Sequence, residues 1–466
     1  MNWHLCLRWL DGPPSESRFM TSGVPVGSNV RIRVSTLAGE RDFEGAMLPP
    51  AGEGLITLKL VNGYNLSYPE EDVLDTELLG EAGDGAVQED SAFEEDDSLP
   101  EILLIHTGGT IASKVDYDTG AVTAKFEPDE LLSSVPELGS IARIRVHMIG
   151  NMWSDDLRPR HWNRMIVASH EAFTDGYAGV VVTHGTDTMH ISSAAMSYAW
   201  SGGGGRPPGR IAFTGSQRSP DRGSSDAAEN LISAVYWAAH GPKVTGYRDS
   251  AVVVMHDGGS DGRCAVLPGC ASRKSHSSKR GAFRPVNQEP VAYVTLSADG
   301  PEIEDNRNAV PNREVTDSPM LFDEGCRIHE LVAGPHLSPD LLEAVIETRP
   351  DAMVIRGTGL GHVPILDPLG DSPENGRVAD ALSAAVDKGI PVVVTAETVH
   401  GPVNMNVYAK GRNQRSIGLI GHGSMCPPGS AVVKLHYLLS KGLDSNGVRE
   451  AWESDLVGEN PSDSSS

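Results

Sequence analysis

The sequence has no apolar run long enough to cross a membrane. A membrane-spanning helix needs about 20 consecutive, mostly apolar residues, and no such stretch occurs among the 466 residues of the chain. The first 19 residues contain Arg8 and a short apolar patch, but they lack the longer apolar core and the small-residue cleavage site of a signal peptide. We therefore expect a cytoplasmic protein with no membrane partner.

Cysteine is scarce, and the cysteines show no metal-ligand spacing. The five cysteines are Cys6, Cys264, Cys270, Cys326 and Cys426. An odd number of scattered cysteines argues against a disulfide framework and against a zinc site, and the 16 histidines include no HExxH pair. We expect reduced thiols, no bound metal and no cofactor held by this chain.

Positive charge is also scarce. The chain has 38 lysines and arginines against 63 aspartates and glutamates, which gives a net charge of −25. A nucleic-acid interface needs clustered Lys and Arg to neutralise phosphates, so this chain is not expected to make the main contact with RNA. Acidic surface keeps a protein soluble where salt screens charge. We interpret the composition as that of a salt-loving organism, with an ordinary acidic cytosolic protein as the alternative.

Short β-like runs are present in residues 20–78. They lie at residues 30–34, 43–47 and 55–60, a spacing of about ten to twelve residues. This spacing predicts a small all-β, barrel-like domain. We expect translation to begin at Met20, which would leave residues 1–19 disordered or untranslated.

Two further segments are too polar to form a core. Residues 79–99 are rich in Gly, Ser, Asp and Glu, which predicts an acidic linker. Residues 446–466 are acidic and serine-rich, which predicts a solvated tail.

From residue 100 onward, apolar strands alternate with helical stretches. This alternation predicts an α/β fold in which mostly parallel sheets are covered on both faces. The pattern lapses in the polar segment 302–324, so we predict two α/β domains, residues 100–310 and 325–445.

Two stretches each place a threonine directly after an apolar run. Residues 107–113 follow the run 102–105, and residues 184–189 follow the run 180–182. Ligands bind at the carboxyl ends of strands in open α/β sheets, and glycines there let backbone N–H groups approach a developing oxyanion. One such stretch is ordinary scaffolding, but two together indicate a nucleophilic site.

These stretches resemble the signatures TGGTIA and HGTDT of the asparaginase and glutaminase amidohydrolases. Residues 273–287 resemble the segment of that family that carries a catalytic lysine, and further similarity lies at residues 214–218 and 225–231. The resemblance implies a two-domain asparaginase-like fold, with catalytic motifs in the first of the two α/β domains.

One branch of the family matches better than the others. Residues 354–362 and 401–408, together with the amino-terminal extension, resemble the branch that serves archaeal tRNA-dependent amidotransferases. The resemblance implies that the chain releases ammonia from asparagine or glutamine. The partner, the E-type amidotransferase subunit, would hold the tRNA and use ATP and Mg to convert Glu-tRNA(Gln) to Gln-tRNA(Gln). The resemblance also implies self-association through the asparaginase-like domains.

The resemblance implies four catalytic residues. Thr110 would be the nucleophile that forms an acyl-enzyme, and Thr186, Asp187 and Lys274 would form a second set that handles the proton. Lysine accepts a proton only in its neutral form. The spacing of the apolar residues after Asp187 predicts a helix, so the alternative interpretation of Asp187 is a helix cap.

Substrate and lid residues follow from the same resemblance. Ser154 and Asp155 lie where free asparaginases have Ser-Gln, and they would bind the substrate together with Asp187. Asp155 adds attraction for an ammonium and removes a donor for a carboxylate, which leaves the preference between asparagine and glutamine open. Tyr117 matches the tyrosine of the family's mobile lid, and a surface tyrosine in a loop is the alternative.

Three functional hypotheses remain open on the sequence. The first is an ammonia-generating amidase subunit, and the second is a stand-alone asparaginase with an accessory β domain. The third is a non-catalytic scaffold that has kept the fold. The intact set of Thr110, Thr186, Asp187 and Lys274 argues against the scaffold.

Overall fold

The computed structural model describes thirteen stretches of the chain and divides them into two compact units. Residues 20–80 belong to the first unit and residues 96–461 to the second. Thr110, Tyr117 and residues 1–19 lie outside the described residues, as does most of the predicted linker. The described stretches are 20–21, 24–36, 39–48, 54–60, 65–80, 96–109, 111, 113–115, 122–124, 135–220, 225–297, 300–307 and 313–461.

The first unit is all β. Its strands are β1 (Met20–Thr21), β2 (Val24–Pro25), β3 (Asn29–Thr36), β4 (Gly39–Leu48), β5 (Leu55–Leu60), β6 (Asn65–Pro69) and β7 (Val73–Gly80). The last five form an antiparallel sheet in the order β6-β5-β4-β3-β7. Successive side chains of a strand point to opposite faces, so Val30, Ile32 and Val34 are buried while Arg33 is exposed. The prediction of an all-β amino-terminal region is confirmed.

The second unit contains an eight-stranded sheet. Its strands are β8 (Glu101–His106), β11 (Arg143–Met148), β12 (Gly179–Thr183), β13 (Arg210–Thr214), β14 (Val252–His256), β15 (Arg263–Pro268), β18 (Ala292–Ser297) and β19 (Gly300–Asp305). The order is β11-β8-β12-β13-β14-β15-β18-β19. The first five strands are parallel, whereas β15, β18 and β19 are added antiparallel. The sheet is therefore less uniformly parallel than the sequence predicts.

Two short hairpins and a second sheet complete the β-structure of this unit. The hairpins pair β9 (Ser113–Val115) with β10 (Val122–Ala124) and β16 (Ser272–Lys274) with β17 (Phe283–Pro285). The second sheet is parallel and contains β20 (Ile328–Val332), β21 (Ala352–Gly357) and β22 (Val392–Ala396).

Helices cover the two sheets. In the described residues they are α1 (Pro159–Thr174), α2 (Met189–Ser201), α3 (Ala227–His240), α4 (Pro339–Glu347), α5 (Pro373–Asp387), α6 (Ala409–Ile417), α7 (Pro428–Ser440) and α8 (Ser445–Trp452). Val180 and Val182 of β12 pack in the core that contains α1, α2 and α7, whereas Val181 packs in the core under α3. A strand buried on both faces must be apolar at every position. This explains the Val180–Val182 run.

The polar segment 302–324 begins within β19, an edge strand whose outer face is polar, and the predicted bounds 100–310 and 325–445 keep this strand in the first α/β domain. One segment differs from the sequence-based expectation. Residues 446–466 were expected to be a solvated tail. Instead, α8 and residues 453–461 pack into the unit, with Trp452, Val457 and Glu459 buried. Single apolar residues in an acidic stretch were sufficient anchors.

Within the described residues, no helix combines the length and the apolar character that crossing a bilayer requires. The same part of the chain contains no group of three or more His, Cys, Asp or Glu side chains placed to hold a metal ion. Its four cysteines, Cys264, Cys270, Cys326 and Cys426, are free thiols.

Candidate active site

The two signature loops leave neighbouring strands side by side. β8 and β12 are parallel, and His106 lies opposite Thr183 in their register. Thr107 donates from its backbone N to Thr183 O over 3.1 Å and from its hydroxyl to the same oxygen over 2.9 Å. The start of one loop is therefore fixed to the end of the strand that carries the other loop.

Glycine is required where these loops meet. Gly108 and Gly109 have φ angles of 108° and 95°, a region that favours glycine. A Cβ on Gly109 would lie 2.6 Å from the Cα of Gly185, and a Cβ on Gly108 would lie 2.4 Å from the backbone N of Met152. The backbones of Gly108–Gly109, Gly185 and Met152 are thus packed directly against each other. The glycines of both signatures are needed for this contact as well as for their turns.

Ser154 lies against the second signature loop. A Cβ on Gly185 would lie 2.8 Å from the Cβ of Ser154, which is buried. Thr188 donates from its hydroxyl to Ser154 O over 2.6 Å and from its backbone N to Ser154 Oγ over 3.4 Å. The structure therefore packs Ser154 against Gly185 and Thr188, the residues that flank Thr186 and Asp187 in the chain.

Thr186, Asp187 and Lys274 form one connected set. Lys274 Nζ lies 2.9 Å from Thr186 Oγ1 and 2.8 Å from Asp187 Oδ1. Thr186 is buried, the Lys274 side chain is 10% exposed and the Asp187 side chain is 66% exposed. The hydroxyl and the amine are thus withdrawn from bulk water, whereas the carboxylate reaches it. This is a suitable arrangement for proton transfer next to an open substrate site.

A hairpin positions Lys274. Lys274 is the last residue of β16 and pairs with Phe283 of β17, a buried side chain that anchors the hairpin in the core. Ser275 N donates to Ala282 O over 2.7 Å at the start of the connecting loop. The lysine therefore extends from a paired strand and not from the loop that follows.

The alternative role of Asp187 as a helix cap does not fit the structure. The predicted helix is confirmed as α2, but its N-cap residue is Thr188, and Asp187 precedes it. The Asp187 carboxylate accepts its hydrogen bond from Lys274. Its contact therefore belongs to the lysine set.

Two buried histidines behind the signature loops were not recognised from the sequence. His184 contacts Gly185 O through Nδ1 over 2.6 Å and Ser192 Oγ through Nε2 over 2.9 Å. His106 Nδ1 lies 2.8 Å from Thr183 Oγ1. Burial lowers the pKa of each to about 4, so both are neutral near pH 7. The available sequence signal was that each ends or directly follows an apolar strand.

A third loop closes the far side of the second signature. A Cβ on Gly215 would lie 2.4 Å from His184 O and 3.2 Å from Thr186 Cγ2. Asn230 of α3 donates to Gly215 O over 2.9 Å, and Asp226 accepts from the backbone N of Gln217 over 3.0 Å. The two further segments that resemble the family, residues 214–218 and 225–231, are thus joined by direct contacts between helix and loop.

A cavity of about 880 Å³ opens next to the lysine set. Asp187 and Lys274 line it, and Arg158, Arg273 and Arg356 bring positive charge to its walls. Burial is the main cause that lowers the pKa of Arg273. The carboxylates of Asp187 and Glu330 also line the cavity, and Glu330 pairs with Arg356 over 2.7 Å. The cavity is large enough for an amino acid and presents charges of both signs.

The remaining predicted site residues are less well placed. Asp155 is exposed in the short 3-10 turn Ser154–Asp156, directly after Ser154. Thr110 and Tyr117 lie outside the described residues. The roles of nucleophile and lid therefore remain predictions.

Comparison with known proteins decides the family. Residues 101–309 match the family model "Asparaginase, N-terminal", and residues 327–452 match the model "Glutaminase/Asparaginase C-terminal domain". The D-type subunit of the glutamyl-tRNA(Gln) amidotransferase from Pyrococcus abyssi is 35% identical over 445 residues, 94% of this chain and 95% of that protein. The same subunit from Pyrococcus furiosus is 36% identical, and the alignment covers 92% of both chains.

The chain belongs to the asparaginase family, in the branch of the D-type amidotransferase subunits. A solved structure, the thermostable L-asparaginase from Thermococcus kodakarensis, is similar with a TM-score of 0.62 and 27% identity. It is matched over its whole length but covers only 78% of this chain. The α/β prediction with an asparaginase-like fold is therefore confirmed.

Proposed function

We propose that this chain is the amide-hydrolysing subunit of a tRNA-dependent amidotransferase. The observation that carries the proposal is the set of Lys274, Thr186 and Asp187, joined at 2.9 and 2.8 Å beside a cavity of amino-acid size. In this set a mostly buried amine joins a buried hydroxyl to a carboxylate that is open to solvent. This arrangement suits proton transfer next to a substrate.

The proposed reaction proceeds through Thr110. Its hydroxyl oxygen attacks the side-chain carboxamide carbon of asparagine or glutamine and loses its proton, and the C–N bond then breaks as the nitrogen takes up a proton and leaves as ammonia. Lys274 is assigned to accept and return the proton, and Thr186 lies within transfer distance to relay it. Water then hydrolyses the acyl ester and releases aspartate or glutamate.

Substrate binding is assigned to the residues around this set. Ser154 would hold the α-carboxylate, and Asp187 would bind the α-ammonium with the carboxylate that is 66% exposed. Asp155, exposed one residue further along, adds a second carboxylate near the ammonium. Tyr117 is proposed as the lid residue that excludes water.

The partner is inferred from the relatives. An alignment that covers 94% of the chain has to include most of the first 100 residues, whereas the L-asparaginase from Thermococcus kodakarensis covers 78% of the chain. The extra region is therefore shared with the amidotransferase subunits. We assign ATP, Mg and most tRNA contacts to the partner, the E-type amidotransferase subunit, and we propose no cofactor for this chain.

We extend the proposal to the organisation and the setting of the chain. It includes the domain bounds 20–78 and 100–310, a second α/β domain that begins at residue 325, self-association through the asparaginase-like domains, a cytoplasmic location and an origin in a salt-loving organism. The charge of −25 supports the last of these.

The test is ammonia release from asparagine and from glutamine in high-salt buffer, with and without the E-type partner, ATP and Glu-tRNA(Gln). We expect release that is strongly stimulated by these additions and the formation of Gln-tRNA(Gln). Rapid ammonia release that is unchanged by the partner, ATP and Glu-tRNA(Gln) would instead favour a stand-alone L-asparaginase. The match to an L-asparaginase over its whole length supports this alternative. Thr186→Val is the matched inactive control.

A further inference from the structure

A fully buried ion pair lies in the carboxyl-terminal segment. Lys434 of α7 and Glu459 are each 0% exposed, and Lys434 Nζ lies 2.7 Å from Glu459 Oε1. The same ammonium donates to Trp452 O over 2.9 Å and to Ser454 O over 2.6 Å. Residues 445–461, which we name the C-terminal hook, are thus fastened to α7 by all three hydrogens of one ammonium.

The hook carboxylate is also held by its own backbone. Glu459 accepts from the backbone N of Val457 over 2.8 Å and from that of Leu456 over 3.1 Å. Burial raises the pKa of Glu459, and the Lys434 ammonium opposes that rise. These bonds close a tight turn over residues 456–459, and Gly458 N, which shares a peptide unit with Val457 O, donates to Asp455 Oδ1 over 2.8 Å.

The backbone oxygens of Val457 and Gly458 contact the part of the chain that carries Lys274. Val457 O accepts from Arg248 N over 2.8 Å and from Cys270 Sγ over 3.4 Å, and Gly458 O accepts from Gln288 Nε2 over 2.9 Å. Cys270 lies in the 3-10 turn that runs directly into β16, and Gln288 lies soon after β17. The hook therefore contacts the chain just before and just after the hairpin that ends in Lys274.

The other end of the ion pair supports Thr186 and Asp187. Lys434 lies on α7, which packs against α2. Tyr198 of α2 lies 3.4 Å, oxygen to oxygen, from Ser430 of α7, and a Cβ on Gly429 would lie 3.2 Å from the His190 ring. Because α2 begins just after Asp187, a shift of α7 is transmitted to the carboxylate and the hydroxyl of the set.

We propose that Lys434 and Glu459 are positioning residues for the amide-hydrolysing site. Their ion pair locks the hook between α7 and the Lys274 hairpin, so the two arms of the set are held at one relative position. This inference rests on the proposed function. Apolar side chains of similar volume would bury the same area, but they would leave the hydrogen bonds of the hook unspecified.

The test compares three variants of the full chain, assayed with the E-type partner well below each variant's Tm. Glu459→Gln is expected to lower kcat about tenfold or more and to change its pH profile, because small misplacements of reacting groups are costly. Lys434→Met/Glu459→Leu is expected to recover thermal stability but not kcat. Leu342→Ala, in the separate core under α4, is the control that lowers Tm and leaves kcat and its pH profile unchanged.

Two outcomes would overturn the positioning role. One is a Glu459→Gln variant whose Tm falls while kcat and its pH profile stay unchanged. The other is a double variant that regains full kcat together with its thermal stability. A wild-type protein that releases no ammonia would contradict the proposed function instead. In that case amide hydrogen exchange tests the positioning role without an activity assay. Glu459→Gln should speed exchange at residues 272–274 and 186–188, while exchange in the first unit stays unchanged.

Discussion

The chain contains two lysine–carboxylate pairs of nearly equal length in opposite surroundings. Lys274 and Asp187 are separated by 2.8 Å, with the carboxylate 66% exposed. Lys434 and Glu459 are separated by 2.7 Å, with both side chains fully buried. Distance therefore does not distinguish them. Solvent and neighbours do, because the first pair adds a threonine hydroxyl beside a cavity, and the second adds backbone carbonyls and amides and the Trp452 ring, whose centroid lies 5.4 Å from Lys434 Nζ.

The difference separates a pair placed for proton transfer from a pair that fastens the C-terminal hook to α7. In the first pair only the carboxylate reaches water, which screens the attraction and makes the pair contribute less to stability than a fully buried one. A buried pair is costly to break, because the remaining charge has no water. We expect substitutions of the first pair to be seen in turnover and substitutions of the second to be seen first in stability.

The largest expected effect is that of Lys274→Met. Turnover should fall about 10²- to 10⁴-fold, because the proton acceptor is removed, while the free energy of unfolding should fall by less than it does when the fully buried pair is broken. Ammonia release and denaturant unfolding measure the two quantities on the same sample. Unchanged turnover would remove Lys274 from the mechanism.

Lys434→Met should show the opposite pattern in stability. It leaves Glu459 buried without its cation, which should cost about 3–5 kcal/mol of unfolding free energy. Denaturant unfolding at constant salt measures the loss. A loss below about 1 kcal/mol would mean that water or relaxation reaches the carboxylate, and the contrast between the pairs would disappear.

The dependence of the unfolding free energy on acid pH measures a third contribution, that of two buried histidines that belong to neither ion pair. His106 and His184 have folded pKa values of about 4, below the ordinary value of about 6.5. The unfolded chain therefore binds more protons between about pH 6.5 and 4, so their stabilisation is complete above that window and is lost as the pH falls through it. The loss is about 3 kcal/mol for each histidine.

The matched variant for this titration is His106→Asn, which keeps a polar atom near Thr183. The slope of unfolding free energy against pH should decrease in that window by the part due to one histidine. An unchanged slope would show that the proton is taken up elsewhere.

The smallest expected effect on stability is that of Asp187→Asn. The amide keeps an acceptor for Lys274 but loses the charge that would bind an α-ammonium. The free energy of unfolding should change by less than about 1 kcal/mol, while KM for the amide substrate rises. A large loss of stability would mean that the exposed pair is structural after all.

The local arrangement of the site was predictable from sequence where it depends on strand ends. Apolar runs followed by glycine and threonine located both signature loops, and apolar spacing predicted the helix that begins after Asp187. The three antiparallel strands of the large sheet were not distinguished from parallel ones, because a buried antiparallel strand such as β15 has the same apolar pattern. The hook was missed because its stretch is acidic and rich in serine, although Val448 and Trp452 stand four residues apart, the spacing of one helix face.

The sequence by itself determined which elements exist and which residue types stand at the ends of strands. These follow from hydrophobic periodicity and from turn chemistry, and both act over a few residues. Only the tertiary structure decided which side chains meet. Thr186 and Lys274 are 88 positions apart, and Lys434 and Glu459 differ from Lys274 and Asp187 in their burial and in their neighbours. Burial is set by the packing of distant segments, which no local pattern records.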